Sequence, residues 1–198
     1  SELPTPSTEE STVTDRPILT IRGLSMPGAG ERPVLDDISL TIHAGEVLGI
    51  AGVEGNGQAE LVEAIMGMRE PSAGTVELEG KDITDWDVRE IREAGVGYIP
   101  EDRQRHALLL DAPLWENRML GHQTEDPNVR GPWVDAKGAK ADTERIVREY
   151  DVRTPSIFVT AASLSGGNQQ KLIIGREMSH HPRVLIAAHP TRGVDVGA

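Results

Sequence analysis

Two stretches of the chain carry residue types suited to holding phosphate. The first is Gly52-Val53-Glu54-Gly55-Asn56-Gly57-Gln58-Ala59, set between an apolar run and a segment with helical spacing. Its glycines let the backbone turn tightly and aim successive N–H groups at an anion. The helix that follows adds the partial positive charge of its N-terminus. A phosphate loop of full strength ends in Lys and then Ser or Thr, for charge on the β- and γ-phosphates and a hydroxyl on Mg²⁺. Here those positions hold Gln58 and Ala59. A charge-assisted hydrogen bond is worth about 1.5–3 kcal/mol against about 1 for a neutral one. Nucleotide binding at this loop is therefore expected to be weak and catalysis weaker. The same run also reads as a plain glycine-rich turn. The second stretch is Leu164-Ser165-Gly166-Gly167-Asn168-Gln169-Gln170. Ser165 is a good N-cap, and its hydroxyl with the bare amides of two glycines makes an anion site at a helix start. The alternative is a well-capped helix and nothing more.

The elements that must position these stretches follow from periodicity. Leu19 and Ile21 alternate with polar neighbours as in a half-buried strand, and Leu40 and Ile42 suggest a second. Residues 28–33 are turn material. The run 46–52, EVLGIAG, has the pattern of a strand covered on both faces. Leu61, Ile65 and Met68 fall on one helical face after it. Residues 75–80 read as a strand, 86–94 as a short helix, 96–100 as a strand, 101–113 as a loop and 121–137 as irregular. A helix is expected over 138–150 with Ile146, Val147 and Tyr150 buried, another from Ser165, and a buried parallel strand over 184–188. Strands alternating with helices indicate an α/β fold with a largely parallel sheet.

Composition narrows the class. The 198 residues suffice for one domain with a sizeable core. With 20 basic and 32 acidic residues the net charge is −12, which argues against a nucleic-acid surface or direct binding to anionic lipid. There are no cysteines, so disulfides and thiol zinc sites are excluded. His43, His106, His122, His180 and His181 show no metal-ligand spacing and are read as surface residues, so no metal site is expected. Residues 1–16 are rich in Ser, Thr, Pro and Glu and read as a disordered linker or tail. The domain is placed at 17–198. No apolar run approaches the length of a membrane span, and no signal peptide is evident.

The combination GVEGNGQAEL, PEDR, LSGGNQQK and AAHPTRGVDVG resembles the ATP-binding domains of ABC transporters. It looks most similar to the second nucleotide-binding domain of nucleoside importers, with simple-sugar importers next. The resemblance implies an ABC ATPase fold of the P-loop NTPase class, with an N-terminal antiparallel β part and a helical subdomain at about 101–180. It implies that Gly52 to Ala59 form the phosphate loop. Ser165, Gly166, Gly167 and Gln169 form the signature, which in that family meets ATP held by a second, head-to-tail domain. Glu101 stands where the family usually has Gln. Ala188 replaces the Asp that holds metal, and His189 replaces the Glu that polarises water. His189 is thus the one candidate base, and a solvated or packed role suits it better. Asp195 matches the D-loop, which crosses the dimer interface. Residues 105–120, with Leu108, Leu109, Leu110 and Trp115, would face a membrane subunit or else form ordinary loop and core.

The implied function is an importer's ATP-binding domain whose own site is degenerate and whose signature completes a partner's site. ATP would bind weakly in cis and in trans through the signature, with Mg²⁺ only alongside ATP at the partner site. The implied partners are a second nucleotide-binding domain, membrane permease subunits and, indirectly, a solute-binding protein, at the cytoplasmic face of the membrane. The family continues past Asp195 with a strand between the phosphate-loop and 184–188 strands, so a C-terminally incomplete domain with unpaired strand edges is expected. Two other readings stand beside this one: a slow stand-alone ATPase using Gln58 and His189, and a soluble regulatory ABC module.

Overall fold

The computed structural model of the chain describes residues 11–30, 32–53 and 55–191. Its contacts fall into two compact units dividing between Ala94 and Gly95, where the sequence suggested one domain with a helical part inside it.

The first unit is built on a four-stranded antiparallel sheet. Strand β1 (Pro17–Met26) lies between β2 (Leu35–His43) and β3 (Ala73–Leu78), and β4 (Lys81–Asp82) completes the order β2-β1-β3-β4. Leu19, Ile21, Leu24 and Met26 are all buried, although 21 and 24 differ in parity. A register break against both neighbours between Ile21 and Ser25 resolves this, with Gly23 at φ 60°. One bulged residue returns the later side chains to the core face. Helix α1 (Gln58–Ile65) buries Leu61, Ala64 and Ile65. It ends before Met68, which is exposed, because Gly67 takes φ 67° and turns the chain away. Met66, fully buried, fills the inward place expected of Met68. Helix α2 (Val88–Glu93) starts at a capping box between Asp87 and Glu90.

Two expectations fail in this unit. The run 46–52 is not a strand, and Val47 is 96% exposed and Ile50 56%. An apolar strand is stabilised by ladder hydrogen bonds and by cover on its faces; no described strand pairs with this one. The tail assigned to 1–16 is partly ordered. Thr14 N donates to Ala44 O at 2.9 Å, Ala44 N to Arg16 O at 2.9 Å, and the Thr12 hydroxyl to Gly45 O at 2.8 Å. Backbone pairing of this kind asks nothing of apolar side chains, which is why composition missed it. The remainder of that segment, 1–10, lies outside the described residues.

The second unit holds a parallel pair, β5 (Val96–Ile99) and β8 (Val184–Ala187), in register Val96 to Val184 through Ile99 to Ala187. Between them the chain forms α3 (Arg103–His106), α4 (Leu114–Met119), a small ribbon of β6 (Val129–Arg130) and β7 (Trp133–Val134), α5 (Ala136–Glu149) and α6 (Gly166–Met178). The short helix and the ribbon lie where loop and irregular structure were expected. Ile99, Leu108, Leu114, Ile146, Leu164, Leu172 and Ile173 form one core, with Val147 and Tyr150 packed at its edge. Strand β8 is less covered than its apolar sequence suggested: Val184 is buried, but Leu185 and Ala187 are exposed. Among the described strands β8 pairs on one edge only. Among the described residues the parallel part is this two-stranded pair, and the expected N-terminal antiparallel part is the four-stranded sheet of the first unit.

Candidate functional site

The glycine-rich loop of the first unit leads directly into α1. Gly55 and Gly57 adopt φ 87° and 92°, and Gly57 occupies the N-cap. Asn56 N closes a turn on Val53 O at 3.1 Å. A Cβ at Gly57 would lie 2.6 Å from Val34 O, so only glycine fits there. Gln58 is the first helical residue, and its side chain folds back over the loop. A Cβ at Gly52 would lie 1.7 Å from Gln58 Nε2. Gln58 therefore offers a neutral amide to the loop. Ala59 presents a methyl, and Glu60 adds an acidic group to the first turn, which competes with any anion for the helix dipole. Glu54 lies outside the described residues.

In the second unit Ser165 caps α6, a helix of 13 residues with no acid in its first turn. The serine is exposed and Gly166 and Gly167 are half-buried. Ser165 Oγ accepts from Asn168 N at 3.4 Å and from Asn168 Nδ2 at 2.9 Å. With its lone pairs so engaged, the hydroxyl has its proton to offer outward. Asn168 Oδ1 in turn accepts from Arg153 N at 2.8 Å. The first amides of an α-helix have no partner inside the helix, so Ser165, Gly166 and Gly167 make a donor cluster with the dipole behind it. The sequence identified the serine and the glycines but not Asn168, whose role depends on a fold-dependent contact with Arg153.

Gln169, grouped with the signature residues that would face ATP, points inward instead. It is 2% exposed. Its Nε2 donates to Ala161 O at 3.0 Å, and its Oε1 accepts from Arg103 Nε at 3.4 Å and Gln104 Nε2 at 3.3 Å. These contacts, not its spacing from the cap, turn the side chain away from the exposed Ser165. Glu101 is exposed in the bend before α3, and Asp102 caps that helix by accepting from Arg105 N at 3.1 Å.

At the end of β8, Ala188 N donates to Ile99 O at 2.9 Å, and its side chain is a methyl. His189 follows with φ 47° and is exposed. Asp195 lies outside the described residues. Of the run 105–120, Leu108 and Leu114 are buried and Leu110 packs on the core, while Leu109 is exposed. Trp115 is half-buried with Lys140 Nζ 4.7 Å above its ring.

The histidines were not all superficial. His122, Glu125 and His180 meet with candidate ligand atoms within 4.8 Å, although 58 residues separate the two histidines along the chain. Arg118, buried, brings its Nη2 to His180 Nε2 at 2.9 Å. A guanidinium only donates, so Nε2 accepts and the ring proton sits on Nδ1, 3.1 Å from Glu125 Oε2. The two imidazoles stack with centroids 4.2 Å apart and planes 9° apart, so their in-plane lone pairs run side by side and do not converge. Both features oppose metal ligation, and the group is a buried polar network. Burial, with the charges of His122 and Arg118, pushes His180 down to about 4. Burial alone would raise the Asp142 carboxyl. Arg118, at 2.5 Å, and Arg145, at 2.8 Å, outweigh it and hold Asp142 below its ordinary value.

Comparison with known proteins shows the family. The family described as ABC transporter matches residues 35–192. Over 182 residues, 91% of this chain, the sequence is 47% identical to the guanosine import ATP-binding protein NupO of Bacillus subtilis (strain 168). It is 41% identical over 181 residues, again 91% of the chain, to the nucleoside import ATP-binding protein NupA of Lactococcus lactis subsp. cremoris (strain MG1363). Over 96% of the chain it is 40% identical to the ribose import ATP-binding protein RbsA 2 of Streptomyces coelicolor. The chain spans 36%, 36% and 35% of these three relatives, about a third of each. Among solved structures, an ATP-binding cassette in a dimeric post-hydrolysis state bound to ADP and Pi superposes with a TM-score of 0.74. That match has 20% identity and covers 90% of this chain and 76% of the other; at that identity the likeness speaks to fold. Among the described residues no helix is long and apolar enough to cross a membrane.

Proposed function

The chain belongs to the ABC transporter family, and on that premise we propose that it is an importer's ATP-binding domain acting chiefly through its signature. The transported solute is a nucleoside or, next, a simple sugar, in line with the names and identities of the relatives. Its partners are a second nucleotide-binding domain, whose bound ATP meets Ser165, Gly166 and Gly167, and membrane permease subunits served indirectly by a solute-binding protein. This places it at the cytoplasmic face of the membrane.

The observation that carries the reading is the contrast between two helix starts. At α6 an exposed hydroxyl, two glycine amides and no first-turn acid face outward. At α1 the lysine and hydroxyl positions are Gln58 and Ala59, with Glu60 in the first turn. Gln58, Ala59 and Ala188 supply neither the charge, the hydroxyl nor the carboxylate that MgATP requires, so the chain's own loop does not fit Mg²⁺. The α6 start fits a phosphate. Such a donor set stabilises charge that grows in the transition state of a reaction whose metal and water are held by the partner domain.

The test uses the intact two-domain subunit assembled with its permease. Ser165→Ala should lower the turnover of ATP hydrolysis by about 100-fold, the scale of losing one transition-state donor. Gln58→Ala should change it by less than about threefold. The opposite ranking overturns the proposal.

A further inference from the structure

Ser165 is useful only if it is held in place, and the residue that holds its surroundings is one the motif would assign to the nucleotide. Gln169 is buried on all sides, so no phosphate reaches its amide. That single side chain nevertheless joins two segments, and its backbone reaches a third point. Its Nε2 binds Ala161 O, four residues before Ser165, at 3.0 Å. Its own backbone N, four residues after Ser165, binds Ser165 O at 2.9 Å. Its Oε1 receives Arg103 Nε and Gln104 Nε2 from α3, the helix opening directly after Glu101 and Asp102. The chain before Ser165 is thus fastened to the Gln169 side-chain amide, that amide is fastened to α3, and the backbone of the same residue holds Ser165 itself. Asn168, its neighbour, sets the serine rotamer.

Building on the proposal that Ser165 serves a partner's nucleotide, we infer that Gln169 is a positioning residue that ties the placement of Ser165 to the segment 101–106. The amide suits this task because its two ends differ. The N–H₂ end must meet a carbonyl and the oxygen end must meet donors, so the side chain has one satisfactory orientation. A displacement of α3 pulls on the oxygen end and is passed to Ala161 and the first turn of α6. Buried hydrogen bonds of this kind are shielded from water and are costly to leave unmade.

Gln169→Glu separates the two arms. The carboxylate still accepts from α3 but sets an oxygen against Ala161 O. In the intact subunit with its permease, Gln169→Glu should lower kcat for ATP about tenfold and leave KM within about twofold, as expected when placement matters only in the transition state. A raised KM with unchanged kcat would mean direct contact with nucleotide and overturn the inference. Ser165→Ala runs alongside. If it abolishes turnover while Gln169→Glu leaves both constants alone, only the present inference falls. If Ser165→Ala is harmless, the trans-acting reading falls, and this inference with it. Gln104→Ala covers the case in which Gln169→Glu does not fold, since Gln104 is exposed and its loss removes one bond of the α3 arm. In the 198-residue chain, Gln104→Ala should shift the amide resonances of Gly166, Gly167 and Asn168. Shifts confined to residues 101–108 would overturn the link.

Discussion

Ser165 and Gln58 stand at comparable places, each at the start of a helix beside glycines, and they differ in what they can offer an anion. Ser165 has an outward hydroxyl proton because Asn168 occupies its lone pairs. Gln58 has an amide folded over Gly52. The difference predicts a calorimetric result. MgATP titrated into the chain should give no resolvable heat at neutral pH, whereas Gln58→Lys/Ala59→Thr should recover measurable binding, since charge and hydroxyl return to the loop. Tight Mg²⁺-dependent binding by the unmodified chain would return Gln58 and His189 to the role of working ligand and base. The types of both residues were legible in the sequence. The inward direction of Gln169 was not, because a motif gives identity and spacing while burial depends on which elements a helix packs against.

Helix α6 presents the serine at its start and packs through its middle against α5. Gly175 sits at that contact: a Cβ there would lie 2.5 Å from Ile146 Cγ2 and 2.9 Å from Tyr150 Cδ2. Replacing glycine by alanine within a helix ordinarily gains about 1 kcal/mol, but overpacking a core costs about 1–3 kcal/mol. Gly175→Ala should therefore lower the stability of the second unit by about 1–2 kcal/mol, read from denaturant unfolding followed at Trp115. A gain in stability would mean that α5 yields. Asp87 tests local rules alone. It caps α2 in a reciprocal box with Glu90, and Asp87→Ala should cost about 1 kcal/mol whatever the second unit does. Capping of this sort is readable from sequence, since donor and acceptor lie three residues apart; the α5–α6 contact is not.

Across the second unit, buried charge makes stability depend on pH. His180 is held neutral chiefly by burial, then by the charges of His122 and of Arg118, which donates into its Nε2; Glu125 and Asp142 oppose the shift without cancelling it. Its folded pKa, about 4, lies below the ordinary 6.5, so the folded state binds the proton less well than the unfolded chain. Stability from this group is then complete above about pH 6.5 and is lost as pH falls towards 4, by about 3 kcal/mol at most. Asp142 is also depressed, so its contribution is present above its unfolded pKa and is lost on further acidification. Melting temperature should fall from pH 6.5 to 4, and His180→Gln, which keeps an acceptor but no titrating ring, should flatten that slope. A variant with the full slope would place the proton elsewhere.

By itself the sequence determined the family, the positions and types of the residues in the two glycine stretches, and most of the helices. Each of these rests on residue type at short spacing, where backbone geometry and local hydrogen bonds decide the outcome. Tertiary structure decided what depends on distant partners. The apolar run 46–52 stays out of any sheet because no described strand pairs with it, and hydrophobicity alone does not make a ladder. His122 and His180 meet through packing of elements 58 residues apart. Gln169 faces the core because α3 and the residues before Ser165 converge on it. In each case the residue's chemistry was visible along the chain, and the neighbour that gives it a task came only with the fold.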